Sequence, residues 1–207
     1  SAERLRYKLA DRLGPEERQM LERATQTIID QVEAMKNLVN AFRDYARLPA
    51  PKKDWIELQA LLRSVLVLYE SSPARLELDL PQEPLPALRA DASQMRQVLH
   101  NLIQNAQDAL EGRQDGMIRI EVRRNADTLI LRVLDNGPGF PPELLRNAFE
   151  PYFTTKPKGT GLGLAVIKKI LDDHGARVRL VNRAEGGAMV EIEFPLGDEV
   201  REGGRDG

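Results

Sequence analysis

Asn101-Leu-Ile-Gln-Asn105-Ala, Asp135-Asn-Gly-Pro-Gly139-Phe, Phe149-Glu-Pro-Tyr-Phe-Thr-Thr-Lys156 and Gly159-Thr-Gly161-Leu-Gly163-Leu follow one another within residues 101–164. A glycine triplet alone recurs by chance. Four such stretches in this order describe a single site: a helix with amides on one face, a carboxylate at a strand end, a segment poor in aliphatic residues, and a helix led by glycines.

Each stretch has its own physical reading. Met95, Val98, Leu99, Leu102, Ile103 and Ala106 recur at helical spacing, so residues 93–110 are expected to form a helix, capped by Asp91 or Ser93. Asn101 and Asn105 stand four apart and project from one side of it, one turn above the other. Their amide oxygens are neutral hard ligands, suited to a magnesium ion that anionic phosphates already hold. Alone, the pair also reads as two Asn tolerated on a half-buried helix. Asp135 ends the apolar run Thr128-Leu-Ile-Leu-Arg-Val-Leu134 and opens into Gly137-Pro-Gly139. A carboxylate there is placed to accept from an exocyclic amine while backbone closes round a base. The same residues also spell a turn, and both readings hold together. Gly159, Gly161 and Gly163 precede a helix expected over 164–173, where backbone N–H groups and the helix dipole favour phosphate oxygens. Residues 150–160, with Lys156, Pro157 and Lys158, read as a mobile lid.

In order and spacing these stretches resemble the N, G1, F and G2 boxes of sensor histidine kinases, within the ATPase superfamily shared with gyrase, Hsp90 and MutL. The resemblance implies a Bergerat-type ATP-binding fold, with ATP and Mg2+ as cofactors. The implied nucleotide contacts are Asn101, Asn105, Asp108, Asp135, Gly137, Gly139, Phe149, Lys156, Thr160, Gly161, Leu162 and Gly163. Asn105 would be the magnesium ligand, and Asp135 would accept from the adenine amino group. ATP-hydrolysing members of the superfamily carry Glu four residues before the metal-binding Asn, as general base for water. Here that position is Asn101, whose amide takes no proton near neutral pH. The site is therefore expected to bind ATP and hydrolyse it poorly. Many histidine kinases place Lys where this chain has Asp108, so Lys156 becomes the candidate cation for the phosphates.

From Glu16 to Leu48 there is no Gly or Pro, and apolar residues repeat by heptads. Leu21, Ile28, Met35 and Phe42 form one seam. Ala24, Leu38 and Tyr45 form the next, interrupted by Gln31, and Val32, Val39 and Ala46 widen the stripe as in a bundle. Ala2, Leu5, Leu9 and Leu13 predict a shorter amphipathic arm, broken at Gly14-Pro15. At 1.5 Å per residue the shorter arm leaves roughly 25 Å of the longer stripe uncovered. This hairpin resembles the dimerisation and phosphotransfer hairpin of NtrY-type nitrogen-regulation kinases. There the phospho-acceptor sits in a His-Glu-x-x-Asn-Pro stretch, expected a dozen or so residues upstream of Ser1. The expectation is a cut or processed chain, unable to phosphorylate itself, with no catalytic residue of its own.

The domains expected are a partial helical hairpin (1–48), a linker at Pro49-Ala-Pro51-Lys-Lys53, a catalytic ATP-binding domain (54–197) and a disordered tail (198–207). A strand is predicted over Trp55–Leu58, a helix from Gln59 to Glu70, and strands over 75–80, 117–122, 128–134, 177–181 and 188–194. The fold class expected is α+β, a two-layer α/β sandwich preceded by a helical hairpin, which the resemblance implies dimerises as a four-helix bundle.

With 207 residues and a formal net charge of -2, the chain offers no general attraction to nucleic acid. The absence of Cys excludes disulfides and thiolate metal sites and suits a cytoplasmic location. No apolar run reaches the length of a membrane span. The resemblance implies the cytoplasmic part of an inner-membrane-anchored kinase with three partners: ATP or ADP, a second copy, and an NtrX-like receiver domain. His100 and His174 read as structural, because neither lies on the hairpin; Trp55 reads as packing where linker meets domain. Two other classes remain in view: an ATPase of the gyrase and Hsp90 kind, opposed by Asn101, and a non-catalytic nucleotide-binding module, opposed by the intact glycine stretches.

Overall fold

The computed structural model describes residues 14–156 and 159–196. The short first arm, Pro157 and Lys158, and the tail at 198–207 lie outside the described residues. Helix α1 spans Pro15–Ala46, with Pro in its first turn and Glu17 reaching back to the Gly14 N–H. Strand β1 (Asp54–Ile56), helix α2 (Leu58–Leu66), strand β2 (Arg75–Asp79), strand β3 (Leu88–Ala90) and helix α3 (Ala92–Ala109) follow. Then come β4 (Met117–Arg124), β5 (Thr128–Asp135), α4 (Pro142–Asn147), α5 (Gly163–Asp173), β6 (Arg177–Asn182) and β7 (Ala188–Pro195). The main sheet runs β2-β4-β5-β7-β6, with β2 and β4 parallel and the remaining pairs antiparallel. β1 and β3 pair separately.

Strict alternation along β4 and β5 makes this a two-layer structure. Ile118, Ile120 and Val122, with Leu129, Leu131 and Val133, turn inward against Leu99, Leu102 and Ile103 of α3 and Ile167, Ile170 and Leu171 of α5. Each fully buried aliphatic side chain contributes about 1.5–3 kcal/mol, so the apolar faces of the two site-bearing helices are what hold them to the sheet.

Three local readings need correction. Leu58 begins a helix instead of ending a strand, because Leu58, Leu61, Leu62 and Val65 fall at helical spacing and are all buried. That helix ends at Leu66 and closes in a 3-10 turn over Val67–Tyr69. Trp55 is 47% exposed, so it is not a packing residue at the linker. Strand β3 and helix α4 are additional elements, too short for periodicity to reveal. On α1, Ile28, Val32, Met35, Leu38, Val39 and Phe42 are exposed, while Tyr45 packs against the core of the sandwich.

The outer sheet face is a lattice of ion pairs. Glu191, 3% exposed, accepts from Arg132 Nε and Arg179 Nε, each at 2.7 Å. Burial pushes its carboxyl up, but the hydrogen bonds and charges of the two guanidiniums outweigh that and hold it below the ordinary glutamate value. The lowered pKa stabilises the fold fully above the unfolded value of about 4.3, and the contribution is lost as pH falls through the folded one. Glu191→Gln should cost about 1–3 kcal/mol at pH 7, because both arginines keep some hydration. The gap between variant and wild type in urea unfolding should narrow below about pH 4. A constant gap would exclude the ion pairs as its origin.

Candidate nucleotide-binding site

Helix α3 supplies one wall. Asp91 caps it, its Oδ1 accepting from the N–H groups of Ser93 (2.9 Å) and Gln94 (3.1 Å). The buried apolar stripe fixes the rotation of the helix, leaving Asn101 and Asn105 half-buried and Asp108 exposed at the other face. The Asn101 side-chain amide has no hydrogen bond among the described residues. Asn105 Oδ1 accepts from Lys156 Nζ at 3.3 Å, and the same ammonium lies 2.8 Å from Asp108 Oδ2. A cation thus already rests on the oxygen expected to hold magnesium, and the donor chemistry fits that metal. No group of three or more His, Asp or Glu gathers among the described residues to hold a metal. A metal at Asn105 would therefore rely on phosphate oxygens for its anionic ligands.

Strand β5 supplies the carboxylate. Asp135, 7% exposed, accepts at Oδ1 from Gly137 N–H (2.8 Å) and Ala188 N–H (3.2 Å). Its Oδ2 has no partner among the described residues, which leaves one acceptor oxygen of a buried residue open to a ligand. Gly137 is required here: a Cβ would stand 2.9 Å from Asp135 Oδ1 and 3.2 Å from the carbonyl oxygen of Ala109. The Asp135 turn thus lies against the end of α3, one helical turn (about 6 Å) beyond Asn105. Gly139 passes beside Asn182, whose side chain accepts from Phe140 N–H (2.7 Å) and donates to the Phe140 carbonyl (2.9 Å). Asn136 is tied to Met117 and Asp115 through its own amide.

The glycine-led helix forms the third wall. Gly161, at φ +67, lies against the backbone of Tyr152, and Tyr152 N–H donates to its carbonyl at 3.0 Å. Tyr152 itself has φ 68, the one positive φ outside glycine among the described residues. Strain of that kind persists only where surrounding contacts enforce it. Leu162 is fully buried and caps α5; Thr160 Oγ1 accepts from its N–H at 3.4 Å. A Cβ on Gly163 would be 4.0 Å from Asn105 Nδ2, so the N-terminus of α5 faces the amide of α3. Phe149 is half-buried before the lid. The structure therefore gathers Asn105, Asp108, Lys156 and Gly163 at one end of the site and Asp135, Gly137 and Gly139 at the other.

Four further residues belong to the site's frame: Asn182, Arg183, Gly187 and Ala188. Arg183 Nη1 donates to the Asp135 carbonyl at 3.1 Å, and Gly187 approaches that carbonyl so closely that a Cβ would stand 2.0 Å away. In the sequence, only the Gly186-Gly187 pair signals anything, namely a turn.

Both histidines are engaged. His174 Nδ1 donates to the Ile170 carbonyl (2.7 Å) and its Nε2 accepts from Asp91 N–H (3.0 Å), which requires the neutral Nδ1-H tautomer. His100 Nδ1 is hydrogen-bonded to the Tyr69 hydroxyl.

Residues 90–198 match the family model described as histidine kinase-, DNA gyrase B-, and HSP90-like ATPase. An NtrY-like sensor histidine kinase of Rickettsia felis is 36% identical over 195 residues, covering 91% of this chain and 32% of the relative. The chain thus spans about a third of the length of that curated relative. The catalytic domain of the histidine kinase ThkA superposes with a TM-score of 0.64 at 34% identity, over 72% of this chain and 99% of that one. ThkA in complex with the response regulator protein TrrA gives a TM-score of 0.71 at 27% identity, over 96% of this chain and 57% of that one. Among the described residues, no helix is long and apolar enough to cross a membrane.

Proposed function

This chain belongs to the histidine kinase-, DNA gyrase B-, and HSP90-like ATPase family, as an ATP-binding domain of the sensor histidine kinase kind, and on that premise we propose that it donates the γ-phosphoryl of Mg-ATP to a histidine on a dimerisation helix. The phosphoryl group passes from ATP to an imidazole nitrogen, leaving ADP. It then passes to an aspartate of a receiver domain, of the NtrX kind by analogy with the NtrY-like relatives. His100 and His174 are committed to structural hydrogen bonds, so the acceptor is supplied from outside these 207 residues and the chain alone does not autophosphorylate. The parent is proposed to be anchored in the inner membrane, with this part in the cytoplasm.

The observation that carries the reading is the open Oδ2 of buried Asp135, in a turn that lies against Ala109 at the end of the helix that bears Asn105. In the proposed site Asp135 accepts from the adenine amino group, and Gly137 and Gly139 admit the base. Asn105 holds magnesium, which screens phosphate charge when bound, and Lys156 with the N-terminus of α5 meets the phosphates. Phe149 and Thr160 to Gly163 line the approach, while Asn101, in the place of a general base, keeps hydrolysis slow. Asp135→Asn turns an acceptor into a donor and should weaken nucleotide binding by roughly 1–3 kcal/mol. Titration calorimetry with Mg-AMP-PNP is the test. Equal affinity for wild type and variant sinks the adenine assignment.

The apolar stripe on α1 is proposed to be covered by a second copy, as a four-helix bundle would. Leu38, 42% exposed, sits in the seam. Leu38→Glu should weaken self-association at least about tenfold, the equivalent of about 1.4 kcal/mol, and leave nucleotide affinity unchanged because the sandwich has its own core. Sedimentation over a concentration series decides; unchanged association of the variant would remove α1 from the interface.

A further inference from the structure

A carboxylate beside a polyphosphate site repels its ligand, so the presence of Asp108 one turn from the Asn105 amide needs a reason. Its two oxygens are separately engaged. Oδ1 accepts from Gln104 Nε2 at 2.9 Å, one turn back on the same helix, which fixes the carboxylate's orientation. Oδ2 holds the Lys156 ammonium at 2.8 Å, and that ammonium reaches Asn105 Oδ1 at 3.3 Å. The Lys156 backbone is set by a turn as well: its N–H donates to Thr154 Oγ1 at 3.1 Å and its carbonyl accepts from Gly159 N–H at 3.1 Å. Both partners are about two-fifths exposed, with side-chain exposures of 41% and 40%. A pair so hydrated adds little stability. What it does is confine a long, flexible stem that otherwise samples solvent.

We propose that Asp108 is a positioning residue, holding the Lys156 ammonium beside the Asn105 oxygen so that Lys156 delivers a cation to the outermost phosphate. The inference rests on the nucleotide reading of the site. Magnesium rides on the outer phosphates, so a cation parked at the metal ligand meets those oxygens and not the base. When Mg-nucleotide enters, the ammonium leaves Asn105 and keeps Asp108 on one side and phosphate on the other. The consequence is selectivity: the site favours a triphosphate over a diphosphate through Lys156, and only while Asp108 holds it.

The test is a double-mutant cycle read as the preference for Mg-AMP-PNP over Mg-ADP in titration calorimetry. Asp108→Asn, which keeps shape and removes charge, should lower that preference by about threefold or more, and Asp108→Glu should retain it. In a Lys156→Met background, Asp108→Asn should no longer lower that preference. Simple removal of a repelling charge predicts the opposite, a gain in triphosphate affinity in both backgrounds, and that result overturns the proposal. An unchanged preference in Asp108→Asn overturns it equally. A wild type that binds both nucleotides while Asp108→Asn behaves in either of those ways refutes positioning alone. A wild type that binds neither refutes the reading of the site, and this inference with it.

Discussion

Asn105→Ala is expected to abolish the magnesium dependence of nucleotide binding. The side chain is the one neutral oxygen placed at the meeting point of α3, the N-terminus of α5 and the Lys156 ammonium. Magnesium takes few protein ligands and keeps several waters, so losing one protein oxygen removes a large share of its fixed coordination. Second-shell changes at metal sites already cost about 10–100-fold, and a direct ligand should cost at least as much. Calorimetry with AMP-PNP, with and without magnesium, should show wild type strongly dependent and the variant equal in both. Asn105 points away from the packed stripe of α3, so thermal unfolding should barely change. A variant that keeps full magnesium dependence would move the metal to another ligand.

Gly187→Ala should damage stability and binding together. At φ +89 the backbone suits glycine, and an added Cβ would stand 2.0 Å from the Asp135 carbonyl oxygen and 3.0 Å from Asn136 Cα. Both obstacles are backbone, so no side chain can turn aside. The β6–β7 hairpin must draw back from the end of β5, taking the Ala188 N–H off Asp135 Oδ1 and disturbing the Arg183 contact. Positive-φ strain and overpacking each cost about 1–3 kcal/mol, so a loss of about 2–6 kcal/mol in urea unfolding is expected, with weaker nucleotide binding. Gly186→Ala is the control. It has φ +96 but nothing within 4 Å of the added Cβ, so it should cost only the strain, about 1–3 kcal/mol, and leave affinity intact. Equal effects from the two substitutions would mean that backbone conformation, not contact with Asp135, is what Gly187 provides.

Asp135, Gly137, Gly161 and Gly163 announce themselves because strand alternation and glycine placement are local signals. Asn182 and Arg183 do not. They stand at the end of an ordinary strand and just after it, and their contacts with Phe140 and Asp135 join residues 42 and 48 positions apart. Those contacts exist because β7 pairs with both β5 and β6, bringing the β6–β7 hairpin alongside the Asp135 turn. Leu58 shows the opposite failure: a short apolar stretch after Trp55 reads as strand until the burial of Leu61, Leu62 and Val65 makes the helical period visible. Trp55 was expected to pack because it is large and apolar, but β1 has only three residues and one partner, and it leaves that ring half in water.

By itself the sequence determined the elements that carry long periodic patterns: α1, α3, α5 and the strands β4, β5 and β7. Their identity depends on repeats of 3.6 or 2 residues, which neighbours in the chain supply. It also determined the family, because the spacing of the four stretches is a property of the chain alone. The tertiary structure decided which partner each polar group meets. That Lys156 rests between Asn105 and Asp108, that Asp135 keeps one oxygen open, and that His174 joins α5 to the cap of α3 all depend on α3 and α5 packing on one face of the same sheet. Contacts of that kind are fixed by the burial of apolar faces far from them, and no local pattern records where those faces meet.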